Sequence, residues 1–348
     1  MLHLSTNADL PDSSELIAAT VIEISSEEQK AILDYVQENT GLKSAIIEKD
    51  WWVTAVLRAI FMLPYSEHIS FKGGTSLSKC WGLIERMSED IDIAIDREYL
   101  GFSGELSKTQ ISDKLRRASC SFVREQMQYD IAKQLEANGI SNELFEVSVN
   151  VTPITTTDPE IIIVTYKSVT EDLPYIMPSV KIEVSGRSMT EPIAPVQIES
   201  IIDKVIPQAP FKEDKFSVRA VIPQRTFLEK LFLLHEEFAK EQIRVDRMTR
   251  HLYDIVKIIE TPIAKEALND DKLYQSVIEH RRLFIGLKGF DYSTLNKKTL
   301  NIVPSSNVID KWENDYKSMQ EDMIYGQSLS FRELIDKVIK LNHDINQM

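Results

Sequence analysis

Apolar and polar positions change period along the chain, and the changes outline its elements. Ser25-Ser26-Glu27-Glu28 fits a capping box, with Ser25 as N-cap and Glu28 three positions on. Ile32, Tyr35 and Val36 continue it as a helical stripe, and Gly41 marks a stop. A second helix is predicted from Ser44 to Met62, with Ile46, Ile47, Val53, Leu57 and Ile60 on its apolar side and Pro64 just past its end. Ile69 and Phe71 form a short extended piece that runs into Lys72-Gly73-Gly74-Thr75, and Ser76 to Leu83 reads as helix. Ile91, Ile93 and Ile95 then alternate with Asp92, Ala94 and Asp96, which predicts a two-faced strand.

Lys108 to Asn138 is a long helical pattern ended by Gly139. Phe145 to Val151, Ile161 to Lys167 and Val180 to Val184 are β-rich, and the proline-rich stretch Pro192 to Pro210 reads as a crossing between regions. Thr226 to Lys240 and Val245 to Glu260 are strong helices, and the remainder to Met348 is mostly helical. The expected class is therefore α+β: an α/β core with a mixed sheet in residues 1–215, and an all-helical domain in residues 216–348 that completes the site. The first twenty residues are polar and are expected to be loose.

Composition narrows this picture little. Hydrophobic residues make up 43% and charged residues 27% of the 348, a globular balance. No apolar run reaches the length of about 18 residues that a spanning helix needs, so no membrane partner is expected. Met1 to Ser14 does not read as a secretory signal. Two cysteines, Cys80 and Cys120, are too few for a disulfide framework, which suits a reducing cytoplasm. The net charge of −14 argues against wrapping a long duplex, although it leaves room for a local basic groove. Lys108, Lys114, Arg116, Arg117 and Arg124 on the long helix are one candidate strip, of which only part shares a face.

The candidate chemistry lies between residues 73 and 92. Two glycines before a helix let backbone N–H groups approach phosphates, and Thr75 and Ser76 add hydroxyls. Asp90 and Asp92, at i and i+2 of a strand, share one face and repel each other unless a cation compensates them. Hard dications prefer such oxygen donors, so Mg²⁺ or Mn²⁺ is the expected cofactor. Taken singly, a Gly-Gly pair is commonly a turn and an Asp-x-Asp a solvated strand face. Their combination points to a phosphoryl-transfer site, where positioning and charge neutralisation are most of the work.

Lys72-Gly73-Gly74-Thr75-Ser76-Leu77 with Arg86-Met87-Ser88-Glu89-Asp90-Ile91-Asp92-Ile93 resembles the first motif of the AbiEii/AbiGii nucleotidyltransferase toxin family, itself similar to the wider DNA polymerase β-like nucleotidyltransferases. Arg225-Thr226-Phe227-Leu228-Glu229-Lys230 is similar to its "RTFWEK" helix, with Leu228 where Trp is frequent. Arg250-His251-Leu252-Tyr253-Asp254 and Glu48-Lys49-Asp50-Trp51-Trp52 resemble two further segments, in the family's order. No motif falls beyond about residue 265.

The resemblance implies that Asp90 and Asp92 ligate metal and that Gly73, Gly74, Thr75 and Ser76 hold the triphosphate. It implies a phosphate contact for Lys230 and a further active-site carboxylate at Asp254. By spacing alone these two read rather as a surface lysine and a helix-surface acid paired with Arg250. Glu183, on the alternating strand 180–184, is the candidate third carboxylate and metal ligand, against an exposed Lys/Glu strand face. Arg86 either contacts phosphate or braces its loop. His251 is a possible general base or a structural residue. Lys49 and Asp50 are expected to pair, Trp51 and Trp52 to pack in the core or a lid, and Cys80 to lie in the core.

The implied reaction moves a nucleoside monophosphate from an NTP to an acceptor. The implied setting is the toxin half of a bacterial toxin–antitoxin or phage-defence pair, with a cognate antitoxin and with tRNA as acceptor. Transfer to a protein or small molecule, or a catalytically silent module that binds nucleotide or antitoxin, remain the alternatives.

Overall fold

A computed structural model describes residues 24–88, 90–150, 160–171 and 176–348. The expectation of a loose N-terminal segment lies outside these residues, as do Glu89 of the aspartate motif and Val151 at the end of a β-rich piece.

The capping box forms as the sequence requires. Ser25 accepts a hydrogen bond from the Glu28 amide, and Glu28 accepts one from the Ser25 amide at 3.0 Å. Helix α1, Ser26–Thr40, ends at Gly41, whose φ of +74° is the left-handed stop that glycine supplies without strain. Helix α2, Ser44–Phe61, follows. Strand β1, Ile69–Lys72, leads into a short helix α3, Gly73–Lys79, which begins at the glycines themselves rather than at Ser76. Strand β2 is Asp90–Ile95. The long helical stretch is interrupted: α4, Arg116–Phe122, and α5, Gln128–Ala137, are joined and preceded by wider π turns at Gln110–Leu115 and Val123–Met127. Strands β3, Phe145–Asn150, β4, Glu160–Tyr166, and β5, Ser179–Ser185, follow the expected alternation.

The proline-rich stretch departs from expectation. It carries strand β6, Ile193–Ile198, and helix α6, Ile201–Val205, and β7, Phe216–Val221, follows. The seven strands form one mixed sheet in the order β3-β4-β5-β2-β1-β7-β6. β6 is an edge strand, where Pro195 can sit because half of its backbone groups need no ladder partner. β7 pairs in parallel with β1 and lies between it and the edge strand. A division after residue 215 would therefore cut a strand from its own sheet, and the helical half starts at α7, Pro223–Phe238. Helices α8, Thr249–Ile259, α9, Ile263–Asn269, α10, Asp271–His280, α11, Ile309–Asp322, and α12, Phe331–Asn346, complete it.

Among the described residues two large apolar cores result, with a small third cluster of Ala45, Met87 and Ile176. The first joins Ile91, Ile93 and Ile95 of the sheet to Trp52, Val56 and Ile60 of α2 and Ile131 of α5. The second joins Phe227 and Leu231 of α7 to Leu252 and Ile255 of α8, Trp312 of α11 and Val338 of α12, and takes in Leu77 and Ile84 from the front half. Because β2 buries its isoleucines, its other face presents Asp90 and Asp92. Parallel pairing with β5 sets Lys181 beside Asp90 and Glu183 beside Asp92, and antiparallel pairing with β1 sets Lys72 on the far side of Asp92.

Trp51 and Trp52 are core residues. Trp52 is fully buried and stacks on Tyr166 with ring centroids 4.7 Å apart. Trp52→Ala is expected to destabilise the protein by about 3–5 kcal/mol, the usual cost of emptying a large aromatic site, read from the urea unfolding midpoint.

Candidate active site

The cleft takes shape where β1 ends. Gly73 adopts φ +79°, and a Cβ there would stand 1.8 Å from Oδ2 of Asp92. A Cβ on Gly74 would stand 2.8 Å from Nη2 of Arg86 and 2.9 Å from Oγ of Ser88. Only glycine at both positions lets the chain turn and lie against these polar groups. Lys72, Gly73, Gly74, Asp90, Asp92 and Glu183 line one side of a cleft of about 360 Å³. Thr75 and Ser76 do not line it. Both are buried, and the Thr75 hydroxyl donates to the Asp90 carbonyl, so it braces the aspartate strand instead.

The three carboxylates share one face. Burial pushes the Asp92 carboxyl above its ordinary range; Lys72 opposes the shift and the Asp90 charge adds to it. Glu183 is pushed up to about 6, first by burial and then by Asp92 and Asp90. Oδ1 of Asp90 is buried with no hydrogen-bond partner. Such a cluster of oxygen donors, one of them orphaned, is short of positive charge and suits a hard dication. Among the described residues, no group of three or more His, Cys, Asp or Glu side chains is arranged to hold a metal ion by itself. Carboxylates along one side of an open cleft suit an ion that would also be ligated by a substrate's phosphates.

The opposite side comes from the helical half. Thr226, Glu229, Lys230 and Leu233 recur at helical spacing along α7 and line the cleft, as do Arg250 and His251 of α8. Behind them lies Asp254, with no solvent exposure. Its Oδ1 accepts from Nε of Arg86 at 2.7 Å and its Oδ2 from Nη2 at 2.8 Å, a bidentate pair. Lys230 Nζ lies 2.8 Å from the same Oδ2. Burial alone would raise the Asp254 carboxyl, but the Arg86 and Lys230 charges outweigh it and hold the group well below the usual carboxylate range. Asp254 thus holds both cations from behind the cleft, and Arg86 braces its loop through Asp254 and the Met87 carbonyl while also lining the cleft.

Burial lowers the Lys230 ammonium, the Arg86 and Arg250 charges add to this, and Asp254 works against it. His251 is lowered well below its ordinary value by burial and by Lys230 and Arg250, so its ring is neutral at pH 7. Arg225, fully buried, bonds Glu229 at 3.0 Å and the carbonyls of Met189 and Glu191. For Glu229, burial acts upward but Arg225, Lys72 and Arg281 hold the carboxyl down at about 2.

Several sequence expectations change. Lys49 and Asp50 do not pair: Lys49 donates to the Met177 and Ser179 carbonyls, and Asp50 pairs with Lys79 at 2.6 Å. Cys80 is only partly buried at the edge of the first core. The basic strip on the long helix is largely spent internally, with Arg116 buried, Arg117 paired with Asp113 at 2.8 Å and Arg124 with Glu160 at 3.2 Å. Lys72, Ser88, Glu229, Arg250 and Arg281 line the cleft without having been singled out for it. The first four stand inside the quoted motifs, whereas Arg281 lies in a region without one.

Asp254→Asn leaves Arg86 and Lys230 facing a neutral group and should cost about 3–5 kcal/mol in urea unfolding, as expected for breaking a buried ion pair. Glu183 generates a pH prediction for the metal-free protein. Its folded value of about 6 exceeds its ordinary 4.5, so between them the folded state holds a proton that the unfolded state has released. Its stabilising contribution is present below about pH 4.5 and is lost as pH rises through about 6. Urea midpoints in EDTA should therefore show wild type losing ground to Glu183→Gln across that window and no further change above it; parallel curves would contradict the shift.

The family model described as "Nucleotidyl transferase AbiEii toxin, Type IV TA system" matches residues 55–337. A solved structure of MenT4, a nucleotidyltransferase toxin from Mycobacterium tuberculosis H37Rv, is similar over 90% of this chain and 98% of its own, at 13% identity and a TM-score of 0.47. Comparison with curated proteins gives no match. Among the described residues no helix is long and apolar enough to cross a membrane. The family match spans most of the chain, and the chain belongs to the AbiEii nucleotidyltransferase toxin family of type IV toxin–antitoxin systems.

Proposed function

We propose that the cleft transfers a nucleoside monophosphate from an NTP to the 3′ end of an RNA acceptor, tRNA being the leading candidate, and that this transfer is the toxic activity an antitoxin counters. The observation that carries this reading is the three-carboxylate face, with its orphaned Asp90 Oδ1, set across a narrow cleft from Lys230 and Arg250. Phosphoryl transfer needs that polarity, with donors for a cation on one side and fixed positive charge for phosphate oxygens on the other.

Asp90, Asp92 and Glu183 would hold Mg²⁺ or Mn²⁺, which when bound neutralises triphosphate charge and makes an acceptor hydroxyl a better nucleophile. The backbone of Gly73 and Gly74 meets the triphosphate at close range. Lys230, kept in place by Asp254, presents its ammonium to a phosphate oxygen. The acceptor oxygen bonds to the α-phosphorus as the bond from that phosphorus to the bridging oxygen breaks. Pyrophosphate departs with the electron pair, and the hydroxyl proton passes to a carboxylate of the face. The neutral His251 ring, beside Lys230 at 3.5 Å, supports the lysine rather than the proton transfer.

The test is incubation with each α-³²P-labelled NTP, Mg²⁺, total tRNA and total cell protein. Label entering RNA supports the reading. Label entering protein moves the function to protein modification, and bound nucleotide without any transfer marks a silent binding module. Asp90→Ala with Asp92→Ala should lower transfer by roughly 10³-fold or more, since each factor of ten is about 1.4 kcal/mol of lost transition-state stabilisation and an ion in such a site supplies several kcal/mol. Growth inhibition should vanish with it while circular dichroism stays near wild type. Full toxicity in the folded double mutant would refute the mechanism.

A further inference from the structure

A second cavity, of about 710 Å³, shares Arg250 with the catalytic cleft. The turn before α8, one face of α11 and the first part of β5 enclose it, and Lys181, Arg247 and Lys311 bring cations to its wall. Met177, Met319 and Met323 supply apolar surface there.

Three features relate this cavity to the reaction centre. First, Lys181 lies two residues before Glu183 on the same strand face and pairs in register with Asp90. At 3.3–3.4 Å per residue, that puts it about 7 Å along the strand from Glu183, comparable with the length of one nucleotide, and beside Asp90 on the neighbouring strand. Second, Nε of Arg250 is buried with no hydrogen-bond partner, although the residue borders both cavities. Third, among the described residues neither Lys181 nor Lys311 has an ion-pair partner within 4 Å, whereas the arginines of the long helix are neutralised.

The cavity is not uniformly basic, because Asp246, Asp315 and Asp322 also line it. Asp315 is occupied: it accepts from the Arg247 amide at 2.7 Å and from the amide and hydroxyl of Thr249. These bonds fix a turn in which Arg247 holds φ +56°, an unusual conformation for a residue with a side chain. A few cations interspersed with acids suit one or two phosphates, not the length of a duplex. Soft methionine surface suits the face of a base.

We propose that this second cavity is the acceptor subsite and that it takes the unpaired 3′-terminal nucleotides of an RNA strand. The terminal hydroxyl points at the carboxylate face and the last phosphodiester lies on Lys181 and Arg250. The next phosphate meets Lys311 and Arg247, and a terminal base rests on the methionines. The assignment rests on the RNA-directed reading above. It also explains how a chain with a net charge of −14 can handle RNA, since it grips an end and leaves the helical body in solvent.

Binding of a short 5′-fluorescein single-stranded RNA with a free 3′ hydroxyl, followed by anisotropy on the full chain without NTP, tests the subsite independently of transfer. Lys311→Glu should weaken binding about tenfold and reduce the slope of log affinity against log salt by about 0.7, the value for one phosphate contact on a single strand. Ser318→Trp, on the exposed part of the same wall, should obstruct the cavity and weaken RNA binding without altering the unfolding midpoint. Both variants should bind a fluorescent NTP as wild type does. A blunt duplex of the same sequence should compete poorly. Weakened RNA binding in both variants alongside label transfer to protein alone would uphold the cavity and overturn the RNA-directed reaction. RNA affinity unchanged in both folded variants, or no RNA binding by wild type, would overturn the subsite itself.

Discussion

The site depends on one buried carboxylate. Asp254 has no solvent exposure yet binds two cations, and it draws them from different parts of the fold: Arg86 from the loop before β2, Lys230 from α7. Burying such a set is costly, and apolar replacements often match its stability, so its value lies in geometry rather than in energy. Because Asp254 accepts Arg86 along two parallel bonds, the guanidinium plane is fixed, and that plane is what Gly74 lies against. The position of the glycine turn and the position of the Lys230 ammonium are therefore set by the same two oxygens.

The C-terminal helices extend this constraint. The Met87 amide donates to the Met323 carbonyl, the amides of Tyr325 and Gly326 donate to the Glu85 carbonyl, and Lys257 pairs with Glu85 at 2.8 Å. A Cβ at Gly326 would lie 2.5 Å from the Glu85 carboxylate, so the tail closes on this loop as tightly as the glycines close on the strand. The segment 84–88 carries no regular structure of its own beyond a single bridge from Arg86 to Ile324. It is held by what surrounds it, and the strand that carries Asp90 and Asp92 begins at residue 90.

Local signals were legible in the sequence and non-local ones were not. The capping box at Ser25 and the isoleucine alternation of β2 are determined by residues within a few positions of one another, and both formed as read. The register that places Glu183 beside Asp92 joins strands some ninety positions apart, and alternation alone left Glu183 equally readable as a solvated face. The edge strand β6 was hidden because prolines signal a break, and only its place at the sheet margin makes them tolerable. The basic strip misled for the opposite reason. Part of it shares a face by spacing, but the partners of its arginines include Glu160 on a distant strand. Arg281 was invisible because its place in the cleft follows from a bidentate pair with Glu236 across two helices.

The glycine pair and the aspartate pair were read as two motifs in proximity, one for phosphate and one for metal. The packing makes them a single device. Asp92 occupies the space that a side chain at Gly73 would need, so the carboxylate can sit beside the turn only because the turn has no side chain. Thr75, the next residue but one, returns the constraint by donating to the carbonyl of Asp90. The strand thus shapes the turn and the turn fixes the strand. The hydroxyl of Thr75, which its sequence position suggested as a phosphate ligand, is consumed in holding that arrangement, and that of Ser76 is buried away from the cleft. What faces the cleft is bare backbone beside a carboxylate, the combination that the proposed reaction would need for a triphosphate to come close enough to share a cation with the protein.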